Sequence, residues 1–174
     1  VSREVRDLPA DFGLIQVNDT LQALQQLAAR VLAQSQLRVV GITGSIGKTS
    51  TKELTARLLS ARFSVLRSMG NYNNQIGLPI SILSLNDSHQ IAVLEMGMNH
   101  PGEIKRLVEI APPEVAVITR IAPVHLEFFQ TLEEIALAKK EILAGAKPGA
   151  SAVLNGDDPL IRQIAADFPP DKII

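Results

Sequence analysis

The sequence predicts an α/β fold, a mainly parallel sheet with helices on both faces, and three features carry that expectation. Short apolar runs alternate with helix-patterned segments from Leu37 to the C-terminus. Each run is continuous, as in strands buried on both faces of a parallel sheet. A glycine-rich turn joins the first run directly to a helical segment, and such alternation implies right-handed β-α-β crossovers. The last residues, Asp171 to Ile174, look like the beginning of one more strand. The sheet is therefore expected to be truncated and the native polypeptide to continue.

Residues 1–17 mix charge and proline without periodicity and read as a connector. Asn18, Asp19 and Thr20 offer N-caps ahead of Leu21, Leu24, Leu27, Ala28, Val31 and Leu32, whose spacing draws one apolar stripe along a helix. The strands are expected at Leu37–Ile42, Ser64–Arg67, Ile91–Glu95, Val115–Thr119 and Ala152–Asn155. The helix after Gly47 has Leu54, Leu58 and Leu59 as its apolar residues. Pro101 suits the first position of a helix running to Ile110, which Pro112-Pro113 stops. Thr131 and Glu134 form a capping-box pattern ahead of Ile135, Ala138, Ile142 and Leu143. Asp158-Pro159 opens a last helix with Leu160, Ile161 and Ile164 on its inner face.

Composition narrows the function. A chain of 174 residues, 46% hydrophobic and 20% charged, is long enough for a self-sufficient core and is not a disordered tail. Lys and Arg number 17 against 18 Asp and Glu, without the basic excess of a nucleic-acid binder. One Tyr, five Phe and no Trp provide no base-stacking platform. The absence of Cys removes thiolate chemistry and Cys-based zinc sites and fits a reducing cytosol. No apolar run approaches the roughly 20 residues of a bilayer span. The start, VSREVRDLPADF, carries neither a secretion-signal pattern nor an initiator Met.

The strongest chemical signal is GITGSIGKTSTKE, residues 41–53, between the first strand and its helix. That context is the one a P-loop needs. Glycines let the main chain of Gly44, Ser45, Ile46 and Gly47 curl its N–H groups toward phosphate, and the N-terminus of the following helix, with Ser50 in its first turn, adds positive potential. Lys48 is placed to reach the β- and γ-phosphates and Thr49 to help hold Mg²⁺. The loop is a variant, because Ile42 stands five residues before Gly47 where the strict pattern has glycine. The dinucleotide pattern G-x-G-x-x-G does not occur.

Ligands of open α/β sheets sit beyond the carboxyl ends of the strands, and several polar residues fall there. Glu95 ends its strand and should emerge near the phosphates as a possible Mg²⁺ ligand. Asn71, Asn73 and Asn74 lie in an amide-rich loop after the second strand. Asn99 and His100 open a later helix, which Asn99 could also cap. His125 lies in the loop after the fourth strand. In the helix beyond it, Lys139 shares a face with Ala136 and Leu143 and can point inward, whereas Lys140 reads as part of a solvated face.

These residues resemble the Mur ligase family, which builds the peptide stem of bacterial peptidoglycan. The similarity rests on residues 41–53, GNYNNQIGLP (70–79), VLEMGMNHPGEI (93–104), VHLEFF (124–129) and ALAKKEI (136–142). Among the ligases the Asn-Asn and Asn-His-Pro-Gly-Glu-Ile strings favour the branch that adds D-alanyl-D-alanine. The segment at 17–28 resembles the hinge from an upstream UDP-binding domain. The resemblance implies that residues 1–36 are a connector and helix from that domain, and that 37–174 are the first part of the central ATP-binding domain. It also implies N- and C-terminal domains of the same protein as partners, and adenine-binding residues downstream.

The implied reaction is ATP-dependent amide formation in the cytoplasm. A carboxylate of UDP-MurNAc-tripeptide attacks the γ-phosphate of ATP, and D-alanyl-D-alanine displaces phosphate from the resulting acyl phosphate. By resemblance Lys48 steadies the transferred group, and Thr49 and Glu95 hold one Mg²⁺. His125 holds a second, together with Lys139 if that lysine is carbamylated. Asn71, Asn73, Asn74, Asn99 and His100 face the substrate. A folylpolyglutamate- or cyanophycin-synthetase relative, and a non-catalytic nucleotide-binding module, remain alternatives at this level.

Overall fold

The computed structural model describes residues 1–3, 13–124 and 126–174. Its elements run α1 (Thr20–Gln34), β1 (Arg38–Thr43), α2 (Lys48–Leu59), β2 (Val65–Arg67), α3 (Gly77–Leu83), β3 (Ile91–Glu95), α4 (Glu103–Ile110), β4 (Val115–Ile118), α5 (Leu132–Ala144), β5 (Ser151–Leu154) and α6 (Pro159–Ile164). The five strands form one sheet in the order β2-β3-β1-β4-β5, and every pairing is parallel. Among the described residues no helix is long and apolar enough to cross a membrane.

The two faces of the sheet are covered unequally. Ala56 of α2 packs on Ile42, Ile91 and Val93. The opposite face carries α1, α3, α4, α5 and α6 over a larger core that includes Leu78, Ile104, Leu107, Ile135 and Ile142. Alternation along β3 sends Ala92 and Leu94 to the large core and Ile91, Val93 and Glu95 toward α2. From the central β1 the chain leaves by α2 for β2, returns by α3 to β3, and crosses by α4 to β4. The site-bearing loops of β1, β3 and β4 therefore meet where the connections change direction, at the carboxyl edge.

Several helix starts match their residues. Asp19 Oδ1 accepts from the N–H groups of Leu21 and Gln22 at 2.7 and 3.0 Å. Thr131 Oγ1 accepts from Glu134 N at 3.2 Å, and Glu134 reaches back to Gln130 N at 2.7 Å. Asp158 caps α6 through Leu160 N and Ile161 N. At the C-terminus Asp171 and Lys172 lie in a 3-10 turn (Pro170–Lys172) rather than the expected strand, and only Ile173 and Ile174 pair beside β5, Ile173 by a parallel bridge to Ala152 and Ile174 O by accepting from Leu154 N at 3.1 Å.

Three further expectations are corrected. The helix expected from Pro101 begins at Glu103, because Pro101 lies in the turn that precedes the Gly102 N-cap. Helix α3, with Pro79 in its first turn, was not expected from the amide-rich run before it. On α2, Leu54 and Leu58 are 63% and 75% exposed, while Lys52 and Ala56 take the buried face. A small residue lets the helix approach the sheet; Leu54 and Leu58 are left outside, and only Leu59 of the three leucines packs on that core.

Leu58→Lys should accordingly change the free energy of unfolding by less than about 0.5 kcal/mol. Ile142→Ala, at a fully buried position, should cost ~2–5 kcal/mol. Urea titrations of the two variants measure the contrast, and a comparable loss in both would refute the assignment of the α2 face.

Candidate functional site

The loop after β1 turns back on itself over Gly44–Gly47, and Gly47 is the N-cap of α2. Its shape is fixed from the neighbouring strand end. Ser45 N donates to Arg120 O at 2.7 Å, and Thr119 Oγ1 donates to Ile46 O at 2.6 Å. Gly44 has φ +148° and lies so close to Thr119 that a Cβ would sit 1.9 Å from its hydroxyl oxygen, so no side chain fits there. Lys48 Nζ donates to Gly44 O at 2.8 Å and lies 3.4 Å from Ser45 O, holding a cation over the loop. Burial lowers the Lys48 pKa, and the Glu95 carboxylate partly opposes the shift. Ile46, Thr49 and Ser50 are exposed, and the Ser45 hydroxyl is buried without a partner among the described residues.

Glu95 is 1% exposed, and its alternation along β3 aims it at the head of α2. Thr49 Oγ1 donates to its Oε2 at 2.9 Å, and Asn73 Nδ2 donates to its Oε1 at 2.9 Å. Asn73 is seated against Gly97, where a Cβ would meet its side chain at 2.9 Å. Thr49 and Glu95 present a hydroxyl and a carboxylate together, the oxygen donors a hard cation such as Mg²⁺ takes. Among the described residues no group of three or more His, Cys, Asp or Glu converges, so waters and phosphate oxygens would have to complete such a site.

Asn73, Asn74, Gly97, Met98 and Asn99 line a cleft of about 340 Å³ beside this centre. The Asn74 side-chain oxygen accepts from Ile76 N and Gly77 N at 3.1 and 2.8 Å and starts α3. Asn71 is exposed, as are Asn99 and His100. Asn99 does not cap α4. The N–H groups of Asn99 and His100 instead donate to Glu103 at 2.6 and 3.1 Å, and the His100 ring packs against Phe128 at a tilt of 42° with centroids 4.1 Å apart. His125 lies outside the described residues.

Lys139 points inward and is 2% exposed, while Lys140 pairs with Asp167 at 2.7 Å on the outside. Burial, with a smaller push from the Lys48 ammonium, lowers the Lys139 pKa to about 7. The sequence did not single out Lys52, Thr119 or Glu141, although each positions the site. Lys52 is fully buried against Glu95, and Glu141 accepts from Gly102 N and Lys105 N, both at 2.8 Å, fixing the α4 turn from α5. Lys52 could have been found from its spacing, since it shares a face with both Thr49 and Ala56.

A glycine loop at the head of a helix, beside a strand-end carboxylate on an all-parallel sheet, defines a P-loop-like domain. The chain belongs to the Mur ligase family, whose middle domain matches residues 42–173. It is 44% identical over 160 residues to the UDP-N-acetylmuramoyl-tripeptide–D-alanyl-D-alanine ligase of Bacillus subtilis, covering 92% of this chain and 35% of the relative. MurF from Acinetobacter baumannii superposes with a TM-score of 0.88 at 38% identity, covering 95% of this chain and 36% of that one. MurF from Thermotoga maritima in complex with ADP gives 0.84 at 40% identity, with 97% and 38% covered. The chain thus spans about a third of the length of the relatives it matches.

The Lys139 shift has a stability signature. Between pH 7 and the ordinary lysine range the unfolded state binds a proton that the folded state lacks, so stability rises with pH across this window. The slope should approach ~1.4 kcal/mol per pH unit. Denaturant midpoints at several pH values measure it, and Lys139→Met should remove that contribution; a variant keeping the parent's slope contradicts it.

Proposed function

We propose that this chain supplies the hinge and connector (1–36) and the first part of the ATP-binding central domain (37–174) of a cytoplasmic peptidoglycan-precursor ligase. The ligase joins D-alanyl-D-alanine to UDP-MurNAc-tripeptide. The observation that carries this reading is the Thr49–Glu95 contact at 2.9 Å beside Lys48 on the phosphate loop, in a chain 44% identical to a ligase of that name. Nucleotide binding is further supported by the ADP complex of the Thermotoga relative.

In this reading the main chain of Gly44–Gly47 and the α2 N-terminus, including Ser50, cradle the phosphates. Lys48 exchanges loop carbonyls for phosphate oxygens and offsets charge as the γ-phosphoryl group transfers. The peptide carboxylate attacks the γ-phosphorus, forming an acyl phosphate and releasing ADP. The amine of D-alanyl-D-alanine then attacks the acyl carbon, forming the amide and expelling inorganic phosphate. Thr49 and Glu95 would hold Mg²⁺, which screens the repulsion between the carboxylate and the polyphosphate. Asn73, Asn74 and Asn99 orient the acceptor from the adjoining cleft, and the exposed Asn71 and His100 are assigned to the same substrate.

Lys139 and His125 are assigned to a second Mg²⁺ position. A lysine with a pKa of about 7 is in substantial part a free amine near neutral pH, and a free amine captures CO₂ to give a carbamate anion and a proton. The carbamate supplies a negative ligand where an ammonium would repel a cation.

In the full-length protein, Lys48→Ala should lower ATP turnover by roughly a hundredfold or more while leaving the circular dichroism and melting curve unchanged. Phosphate release is the measurement, and parent-like release would refute the phosphate-loop role. The present chain should bind ATP more weakly than the full-length protein; equal affinity by calorimetry would place the adenine contacts within these 174 residues.

A further inference from the structure

The most deeply buried cation near the site is Lys52, on the second turn of α2, which the chemistry above does not use. Its side chain is fully buried. Its ammonium donates to Ser68 O at 2.9 Å and to Gly70 O at 3.0 Å, and lies 3.2 Å from Glu53 and 3.8 Å from Glu95 Oε2. Ser68 is equally buried, and its hydroxyl accepts from Glu95 N at 3.1 Å. Glu53 extends the pairing outward to Arg67 on β2. An uncharged side chain would fill this space without desolvating an ammonium, so the contacts themselves indicate what the charge does there.

Those contacts fall on one segment. Residues 68–76 connect β2 to α3 without regular structure; Asn73 and Asn74 of this segment line the cleft, and Asn71 is exposed outside that lining. The middle of the segment is tied by Asn73, which donates to Glu95 and accepts from Gly97 N at 2.8 Å. Its end is tied by the Asn74 side chain, which accepts from Ile76 N and Gly77 N at the start of α3. Its beginning is held by Lys52, from the same helix whose first residues are Lys48 and Thr49.

We propose that Lys52 is a positioning residue that fastens the 68–76 segment to the phosphate-loop helix, so that the nucleotide loop and the amide-lined acceptor cleft form one rigid unit. The kinetic consequence rests on the ligase reading; the structural consequence does not. With the ammonium gone, two main-chain carbonyls lose their donor and Glu95 loses its nearest cation. The segment that presents the amides then loosens first, while the phosphate loop, held by Thr119 and Arg120, keeps its shape.

Lys52→Met and Lys52→Arg test this by hydrogen exchange in the present chain and by kinetics in the full-length protein. In Lys52→Met, exchange at the Tyr72, Asn73 and Gly97 amides should rise roughly tenfold while β1 and β3 keep the parent's protection. Lys52→Arg, which keeps charge and donors, should restore most of it. In the ligase assay Lys52→Met should raise the KM for the carboxylate substrate roughly tenfold and leave the KM for ATP within about twofold. Parent-like exchange at those amides, or an equal rise in β1 and β3, overturns the proposal whatever reaction the whole protein catalyses. Absence of ligase turnover in the parent defeats the ligase reading instead, and the exchange result still decides the role of Lys52. If Lys52→Met does not fold, Asn73→Ala decides: Gly97 exchange should rise while Tyr72 stays protected, and equal opening of both overturns the role.

Discussion

The carboxylate of Glu95 is the group around which the carboxyl edge of the sheet is organised. A charged side chain with 1% exposure is costly unless each lone pair finds a donor and the charge finds a partner. Thr49 and Asn73 supply the donors, Lys52 the nearest cation, and Ser68 receives the main-chain N–H of Glu95 itself. These partners come from α2 and from the segment after β2. One buried charge thus draws into register two pieces of chain that share no hydrogen-bonded ladder. The interior's low dielectric strengthens such a network when it is complete and penalises it when one member is lost.

Lys48 and Lys52 flank this centre, Lys139 lies within electrostatic reach of Lys48, and the three environments differ. Lys48 lies over the phosphate loop on carbonyl oxygens that a phosphate can replace. Lys52 is locked between main-chain carbonyls and two carboxylates with no path to solvent. Lys139 is buried opposite Lys48 with a pKa near neutrality. Identical side chains therefore sit as a half-buried cation on loop carbonyls, a fully buried cation beside two carboxylates, and an amine whose pKa burial lowers to about 7, and burial and neighbours alone make the difference.

The alternation of apolar runs, the loop Gly41–Lys52 and the strand-end position of Glu95 were legible because each is a local pattern. Period-two alternation along Ile91–Glu95 even sets which face Glu95 takes. The α2 face was not legible, because the leucines dominate its pattern whereas Ala56 and Lys52 dominate its packing. A lysine reads as solvent-facing unless its oxygen partners are known, and Ser68 and Gly70 lie in a segment without a recognisable element. Helix α3 escaped because it has only 7 residues and carries a proline. Asn99 suggested a cap from its position alone, but the preceding turn is organised by Glu103 and by Glu141, and the latter arrives from 39 residues away in sequence. Contacts of that range leave no periodic trace.

That arrangement of Glu103 and Glu141 bears on how the cleft is built. Both carboxylates accept from main-chain N–H groups where β3 passes into α4: Glu103 from Asn99 and His100 of the turn, Glu141 from Gly102 of the turn and Lys105 in the first turn of the helix. The turn is therefore held by its backbone, which leaves the Asn99 and His100 side chains exposed, Asn99 on the lining of the cleft. On the other wall Asn73 is held by its side chain, through Glu95. A wall fixed through its backbone can present its side chains to an arriving ligand at little cost in order, because the ordering entropy of the main chain has already been lost on folding. A wall fixed through Asn73 instead takes its position from the buried carboxylate, so any change at Glu95 is felt directly on that side of the cleft. The asymmetry ties the β2–α3 segment, rather than the α4 turn, to the carboxylate that also holds Thr49 at the head of α2.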